Sequence, residues 1–215
     1  MKTVTLSALQ AYKRAGETFS CLTAYDASFA HAASAAGIDV LLVGDSLGMV
    51  LQGHSSTLPV TIDDICYHTR CAARGKGHSL LMVDLPFMSN ATTERLLEDG
   101  AALMRAGAEL VKVEGEAWMA DGIHELTRRG VPVCAHLGLT PQTVYQLGGY
   151  KVQGREAEQA EKIINDAKVL VEAVRRNVTM AQPDEAEALV QRMAALHARL
   201  ARTGIDQLRA GEIAA

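Results

Sequence analysis

The stretch LLVGDSLG, residues 41–48, runs three aliphatic residues straight into Gly-Asp-Ser. A short apolar run bounded by turn residues reads as a buried strand. Its exit carries a carboxylate and a hydroxyl. One such exit is ordinary loop chemistry, but this chain repeats the pattern. Apolar runs of strand length recur as FSCLTAYD (19–26), VLLVGDS (40–46), LLMVDLPF (80–87), LVKVEGE (110–116) and VPVCAHLG (131–138). They are largely continuous rather than alternating, as expected of parallel strands buried on both faces.

Helical patterns lie between the runs. Residues 27–36 end at Gly37, residues 61–74 open with T-I-D-D after Pro59, residues 92–106 end at Gly107, and residues 117–129 end at Gly130. Ahead of them, S-A-L-Q at 7–10 reads as a capping box for a short helix closed by Gly16. The exits AAGIDVLLV and RAGAELVKV resemble each other, a weak internal β/α repeat. Alternating strands and helices imply a parallel sheet with right-handed crossovers, either a (β/α) barrel or an open doubly wound sheet. No G-x-G-x-x-G follows a strand and no G-x-x-x-x-G-K-[ST] is present, which lowers the nucleotide-binding open sheet.

After Arg155 the character changes. Residues 156–176 and 184–202 are rich in Ala, Glu, Gln and Arg, with an apolar stripe from Ala186 to Leu200 at helical spacing. The chain thus divides into a β/α portion over 1–155 and a helical segment over 156–215 with no function of its own assigned.

The 215 residues suffice for about one domain. The net charge of −4, the pI near 6.0 and the lack of a long basic run remove the electrostatic footprint of a nucleic-acid binder. The polar start and the absence of a long apolar run argue against a leader or a membrane span. Cys21, Cys66, Cys71 and Cys134 form no C-x-x-C pair and read as reduced structural thiols of a cytoplasmic protein.

In a (β/α) barrel the site lies at the carboxyl ends of the strands. Those ends supply Thr23, Tyr25 and Asp26, then Asp45 and Ser46, then Asp84, then Lys112 and Glu114, then His136. Each is ambiguous alone. Asp26 suits a helix N-cap, Asp45 a cap or a turn, Lys112 and Glu114 a surface ion pair on one strand face, and His136 a buried structural histidine. Together they would converge on one pocket. Three carboxylates, Asp45, Asp84 and Glu114, without a Cys or His cluster suit a hard divalent ion. Such an ion would polarise a carbonyl, and Lys112 adds a charge for a carboxylate or oxyanion. Ser46 could donate to a substrate carboxylate. The chemistry indicated is metal-assisted carbon-acid chemistry on a 2-oxo acid.

The strings LTAYDASFA, VGDSLGMVLQGHSSTLPVT, VDLPFM, VKVEGE and VPVCAHLGLTPQTVYQLGGYKVQGR closely resemble the ketopantoate hydroxymethyltransferase family. The resemblance implies a (β/α)8 barrel of the phosphoenolpyruvate mutase and isocitrate lyase type. It implies hydroxymethyl transfer from 5,10-methylenetetrahydrofolate to 3-methyl-2-oxobutanoate through a magnesium-stabilised enolate, giving 2-dehydropantoate for pantothenate and coenzyme A synthesis. Carried over by motif, Asp45, Asp84 and Glu114 bind Mg2+, and Asp45, Ser46, Asp84 and Lys112 hold the substrate. His136 matches a site-lining histidine. Family members assemble as homo-oligomers, often decamers.

The family pattern then departs. Beyond GGYKVQGR it continues to a strand ending in a motif like L-E-C-V-P, whose glutamate is the catalytic base, and to a closing strand like I-G-I-G-A-G. Neither occurs here, and Glu158, Glu161 and Glu172 lie in helical sequence that matches neither motif. The expected barrel is therefore incomplete, with five clear strands. Two other readings stay open: a member that binds Mg2+ and a 2-oxo acid without turnover, and another carbon–carbon lyase of the same barrel type.

Overall fold

The computed structural model describes residues 2–175. The helical stretch 184–202 and its apolar stripe lie outside the described residues. Five strands are each followed by helical structure: β1 (Cys21–Thr23), β2 (Val40–Val43), β3 (Leu80–Asp84), β4 (Leu110–Glu114) and β5 (Val133–His136). The helices are α1 (Leu6–Ala15), α2 (Ala27–Ala35), α3 (Leu47–Val50), α4 (Ile62–Gly75), α5 (Thr93–Ala106), α6 (Ala120–Thr127) and α7 (Ala157–Arg175). The sheet order is β1-β2-β3-β4-β5 and every pairing is parallel. A doubly wound sheet reverses its order at a switch point. This sheet never reverses, so of the two architectures open from sequence it is the barrel type. Five strands are present among the described residues, against the eight of a closed (β/α) barrel.

Side-chain alternation divides each strand between two faces. Leu41, Val43, Leu81, Val83, Val111 and Val113 turn outward into one apolar layer with Ile65 of α4, Leu96 and Leu103 of α5 and Ile123 and Leu126 of α6, where α4 lies against β2 and β3 and α5 against β4. All of these are at most 2% exposed, and burying each such side chain contributes about 1.5–3 kcal/mol. The inner face begins apolar. Val40, Leu80 and Leu110 at the strand starts form a second cluster with Val4 and Leu9, so α1 plugs that end. The inner face ends polar, at Asp84, Lys112, Glu114 and His136.

Burial on both faces holds for β2, β3 and β4 but not for the outer strands. All three residues of β1 are exposed, and β5 is half-buried to exposed. Each is an edge among the described residues, with a neighbour on one side only. Cys21, read as interior, is therefore exposed. All four cysteines are free thiols, and burial pushes the Cys66 and Cys134 thiols up, away from reactivity.

The capping box expected at Ser7 and Gln10 does not form. Helix α1 starts at Leu6, and Thr5 is its N-cap, accepting from Ala8 N at 3.2 Å. The chain is pinned just upstream, where buried Val4 donates its N–H to His78 O at 2.8 Å. The turn into the helix must follow at once, which places Ser7 inside the first turn. The T-I-D-D start does form a capping box: Asp64 accepts from Thr61 N at 2.9 Å, and Thr61 Oγ1 accepts from Asp64 N at 3.3 Å. Asp26 is an N-cap, accepting from Ser28 N and Phe29 N at 2.8 and 2.9 Å. The two matching helix exits both turn on a left-handed glycine, Gly37 at φ 93° and Gly107 at φ 117°. Of the helical stretch 156–176, residues 157–175 form α7. Its Leu170 and Ala173 are buried against the core, and its Lys162 pairs with Glu116 at 2.8 Å.

Candidate active site

The polar end of the inner face is assembled by strand register. In parallel pairs, aligned residues share a face, and Asp84 aligns with Lys112 while Glu114 aligns with His136. Lys112 and Glu114, two apart on β4, share that face. Asp45 and Ser46 arrive from the turn after β2. Gly44 leaves room for them: a Cβ there would lie 3.0 Å from Ser46 Oγ and 3.2 Å from Asp84 Oδ2, close enough to press on both.

Of the strand-end residues expected from sequence, Asp45, Ser46, Asp84, Lys112, Glu114 and His136 meet here with Tyr25 beside Ser46, whereas Asp26 caps α2. Asp45, Asp84 and Glu114 are 3, 2 and 4% exposed. Lys112 Nζ bonds Asp84 Oδ1 and lies 3.7 Å from Glu114 Oε1. The surface ion pair considered from sequence is thus a buried network. His136 Nδ1 lies 3.0 Å from Glu114 Oε1. Asp45 N donates to Asp84 Oδ2 at 3.3 Å. Ser46 Oγ lies 2.9 Å from the Tyr25 hydroxyl, whose backbone oxygen in turn contacts His68 Nδ1 at 2.8 Å. Asn90 Nδ2 donates to Glu114 O at 2.9 Å. Glu158, Glu161 and Glu172 sit exposed on α7.

His68, Asn90 and Gln142 were missed from sequence, and Gln142 matters most because it bonds the carboxylates themselves. Gln142, in the 3-10 turn Pro141–Thr143 after β5, is 8% exposed. Its Nε2 donates to Asp45 Oδ2 and to Leu85 O, both at 2.9 Å, and its backbone N donates to Glu114 Oε2 at 3.1 Å. The available signal was a polar residue directly after proline in a strand-exit loop.

The electrostatics follow from burial. Desolvation, then the charge of Asp84, pushes the Asp45 carboxyl up to about 7 against the opposing Gln142 bond. Burial raises Asp84 as well, and Lys112 pulls it back without cancelling the rise. Burial also works against the Lys112 ammonium, but Asp84, Glu114 and Asp45 outweigh it and hold Lys112 above its ordinary value. Three buried carboxylates thus share one ammonium, which pairs with Asp84 and Glu114 directly. Hard oxygen donors, no thiolate and a buried surplus of negative charge fit a hard divalent cation. Among the described residues no group of three or more His, Cys, Asp or Glu side chains forms a ready metal cage. Lys112, Gln142 and His136 already occupy carboxylate oxygens, so an ion would complete its sphere from water and substrate, as magnesium commonly does.

Solved structures place the fold in a class. Phosphonopyruvate hydrolase, in complex with oxalate and Mg2+, matches with a TM-score of 0.58 at 14% identity over 78% of this chain and 59% of that one. The 2,3-dimethylmalate lyase, a PEP mutase/isocitrate lyase superfamily member, matches with a TM-score of 0.55 at 16% identity, again over 78% and 59%. The chain has the α/β barrel-type fold of these proteins.

Sequence defines the family within that class. The chain belongs to the ketopantoate hydroxymethyltransferase family, whose profile matches residues 3–193. It is 78% identical over 173 residues to the 3-methyl-2-oxobutanoate hydroxymethyltransferase of Chromohalobacter salexigens, covering 80% of this chain and 66% of the relative. It is 60% identical over 170 residues to that of Shewanella halifaxensis, covering 79% and 64%. The chain thus spans just under two thirds of the length of these relatives. Among the described residues no helix is long and apolar enough to cross a membrane.

Proposed function

We propose that the chain binds Mg2+ and 3-methyl-2-oxobutanoate at the ends of β2 to β5 and works in hydroxymethyl transfer from 5,10-methylenetetrahydrofolate, yielding 2-dehydropantoate. The observation that carries this reading is the buried cluster of Asp45, Asp84 and Glu114, in which Asp84 and Glu114 pair with the Lys112 ammonium and Asp45 joins through its N–H to Asp84. Family membership supports the choice of reaction. The oxalate and Mg2+ in the complex of phosphonopyruvate hydrolase, a fold relative, support a 2-oxo acid beside a metal. A cytoplasmic setting, as read from the cysteines, and a homo-oligomer, as the family resemblance implies, belong to the same reading, with residues 1–155 carrying the site.

Asp45, Asp84 and Glu114 would hold the ion. When bound, Mg2+ supplies positive charge to a 2-oxo group and stabilises negative charge developing on its oxygen. The chain's own groups do the rest. Lys112 Nζ places a positive charge beside Asp84, on the face where a carboxylate or oxyanion would bind. Ser46 Oγ, 2.9 Å from the Tyr25 hydroxyl, donates to the substrate carboxylate with Tyr25 fixing its direction. His136, about one-third exposed, lines the rim and holds Glu114. Burial of the carboxylates strengthens each of these interactions by excluding water.

A second reading is binding without turnover. It is favoured by the position of Glu158, Glu161 and Glu172, exposed on α7 rather than at a strand end. The measurement that separates the two is proton–deuterium exchange at C3 of 3-methyl-2-oxobutanoate, followed by NMR in D2O with and without Mg2+. Mg2+-dependent exchange above the metal-only blank, lost in Asp84→Asn, is the expected result for the first reading. No exchange above the blank, with retained Mg2+-dependent substrate binding, overturns turnover and leaves the second.

A further inference from the structure

We infer that Gln142 is a positioning residue that orients Asp45 and Glu114 toward a divalent cation and couples the loop after β5 to that ion, an inference that rests on the metal reading above. Three hydrogen bonds carry it. From the β5 exit, this one residue reaches the exits of β2, β3 and β4, through Asp45 Oδ2, Leu85 O and Glu114 Oε2. The orientation of the amide follows from its partners. Both are acceptors, so the nitrogen must face them; a flipped amide would set oxygen against a carboxylate and a carbonyl. Both amide hydrogens are used, so rotation of the side chain leaves buried groups unpaired, at substantial cost.

The consequence for the carboxylates is directional. With Oδ2 held by Gln142, Oδ1 remains as the Asp45 oxygen for direct coordination. Glu114 is gripped at both oxygens, Oε1 by His136 and Oε2 by the Gln142 backbone, so its side chain cannot rotate freely. The consequence for the loop is reciprocal. If a docked loop orients the ligands, an ion that needs those ligands must favour the docked loop.

The test titrates Mn2+ into the full chain, reading the free ion by electron paramagnetic resonance. Amide hydrogen exchange of residues 139–151 is recorded with and without Mg2+. Gln142→Ala is expected to weaken Mn2+ binding about 10-fold and to abolish the Mg2+-dependent slowing of exchange in the loop. Gln142→Met, which keeps the length and removes the donors, should do the same and serves if the alanine variant is poorly folded. Val144→Ala trims a buried apolar contact in the same loop, where Val144 is 6% exposed, and leaves the amide in place. It should keep both the affinity and the coupling. Mn2+ affinity in both Gln142 variants within about twofold of wild type, or an equal loss in Val144→Ala, overturns the assignment. Failure of the wild-type chain to bind Mn2+ overturns the metal reading itself and this inference with it, and is distinguished by appearing before any substitution.

Discussion

Replacing Lys112 by Met isolates the charge that holds the site together. Methionine keeps an apolar stem of similar length and removes the ammonium bonded to Asp84. The Asp84 side chain is 3% exposed, and its remaining donor is Asp45 N at 3.3 Å. Two estimates of the cost agree. Removing one partner of a buried ion pair costs about 3–5 kcal/mol. A carboxylate that cannot stay charged escapes by taking up a proton, and at pH 7, from an ordinary value of about 3.9, that costs about 4 kcal/mol. The metal-free Lys112→Met chain should therefore lose about 3–4 kcal/mol at pH 7, read as a lower urea midpoint at unchanged m-value. The pH dependence has a definite sign. Burial already raises Asp84 in the folded state, and loss of Lys112 raises it further. The variant's native state then binds that proton more tightly than its unfolded state, so the deficit grows as pH rises and shrinks toward about pH 4. Asp84→Asn with Lys112→Met removes both charges and should recover most of the loss. A loss below about 1 kcal/mol, the range of an exposed pair, or one that does not vary with pH, would refute the claim that Lys112 is the buried counter-charge of Asp84.

Asp45 titrates at about 7 when folded, raised by burial and by Asp84. Its contribution to stability is therefore present below about pH 4 and lost as pH rises through about 7. The urea midpoint of the metal-free chain should fall across that window and flatten in Asp45→Asn. Mn2+ affinity should rise across the same window, because coordination needs the carboxylate; affinity independent of pH would remove Asp45 from the ligand set. Gly44→Ala should weaken Mn2+ binding while costing about 1–3 kcal/mol of stability. Its Cβ would press Ser46 Oγ at 3.0 Å and Asp84 Oδ2 at 3.2 Å, and unchanged affinity would show that this turn tolerates the methyl.

What was legible in the sequence was what repeats locally. Continuous apolar runs marked the strands, and the glycine exits marked where α2 and α5 stop. The runs overstated the strands. LLVGDS leaves the sheet at Val43, and the Gly-Asp-Ser that follows turns inward to meet Asp84. β1 reads as apolar as β2 yet lies exposed, because exposure of an edge depends on which neighbours flank it, not on its own residues. Gln142 was missed for a related reason. Its partner Asp45 is 97 residues away, and no periodicity within a helix or strand reports a contact at that range. Even the residues that were anticipated depend on a non-local fact. Lys112 neutralises Asp84 because β3 and β4 pair with these two aligned. A slip of one residue would turn Lys112 toward the helices and bring Val111 or Val113 against the carboxylate. That register is fixed by the outward face, where Leu81, Val83, Val111 and Val113 must all point into the apolar layer under α4 and α5. The hydrophobic pattern on one side of the sheet thus dictates the charge arrangement on the other, and a destabilised outer face should loosen the Asp84–Lys112 pair before the chain unfolds.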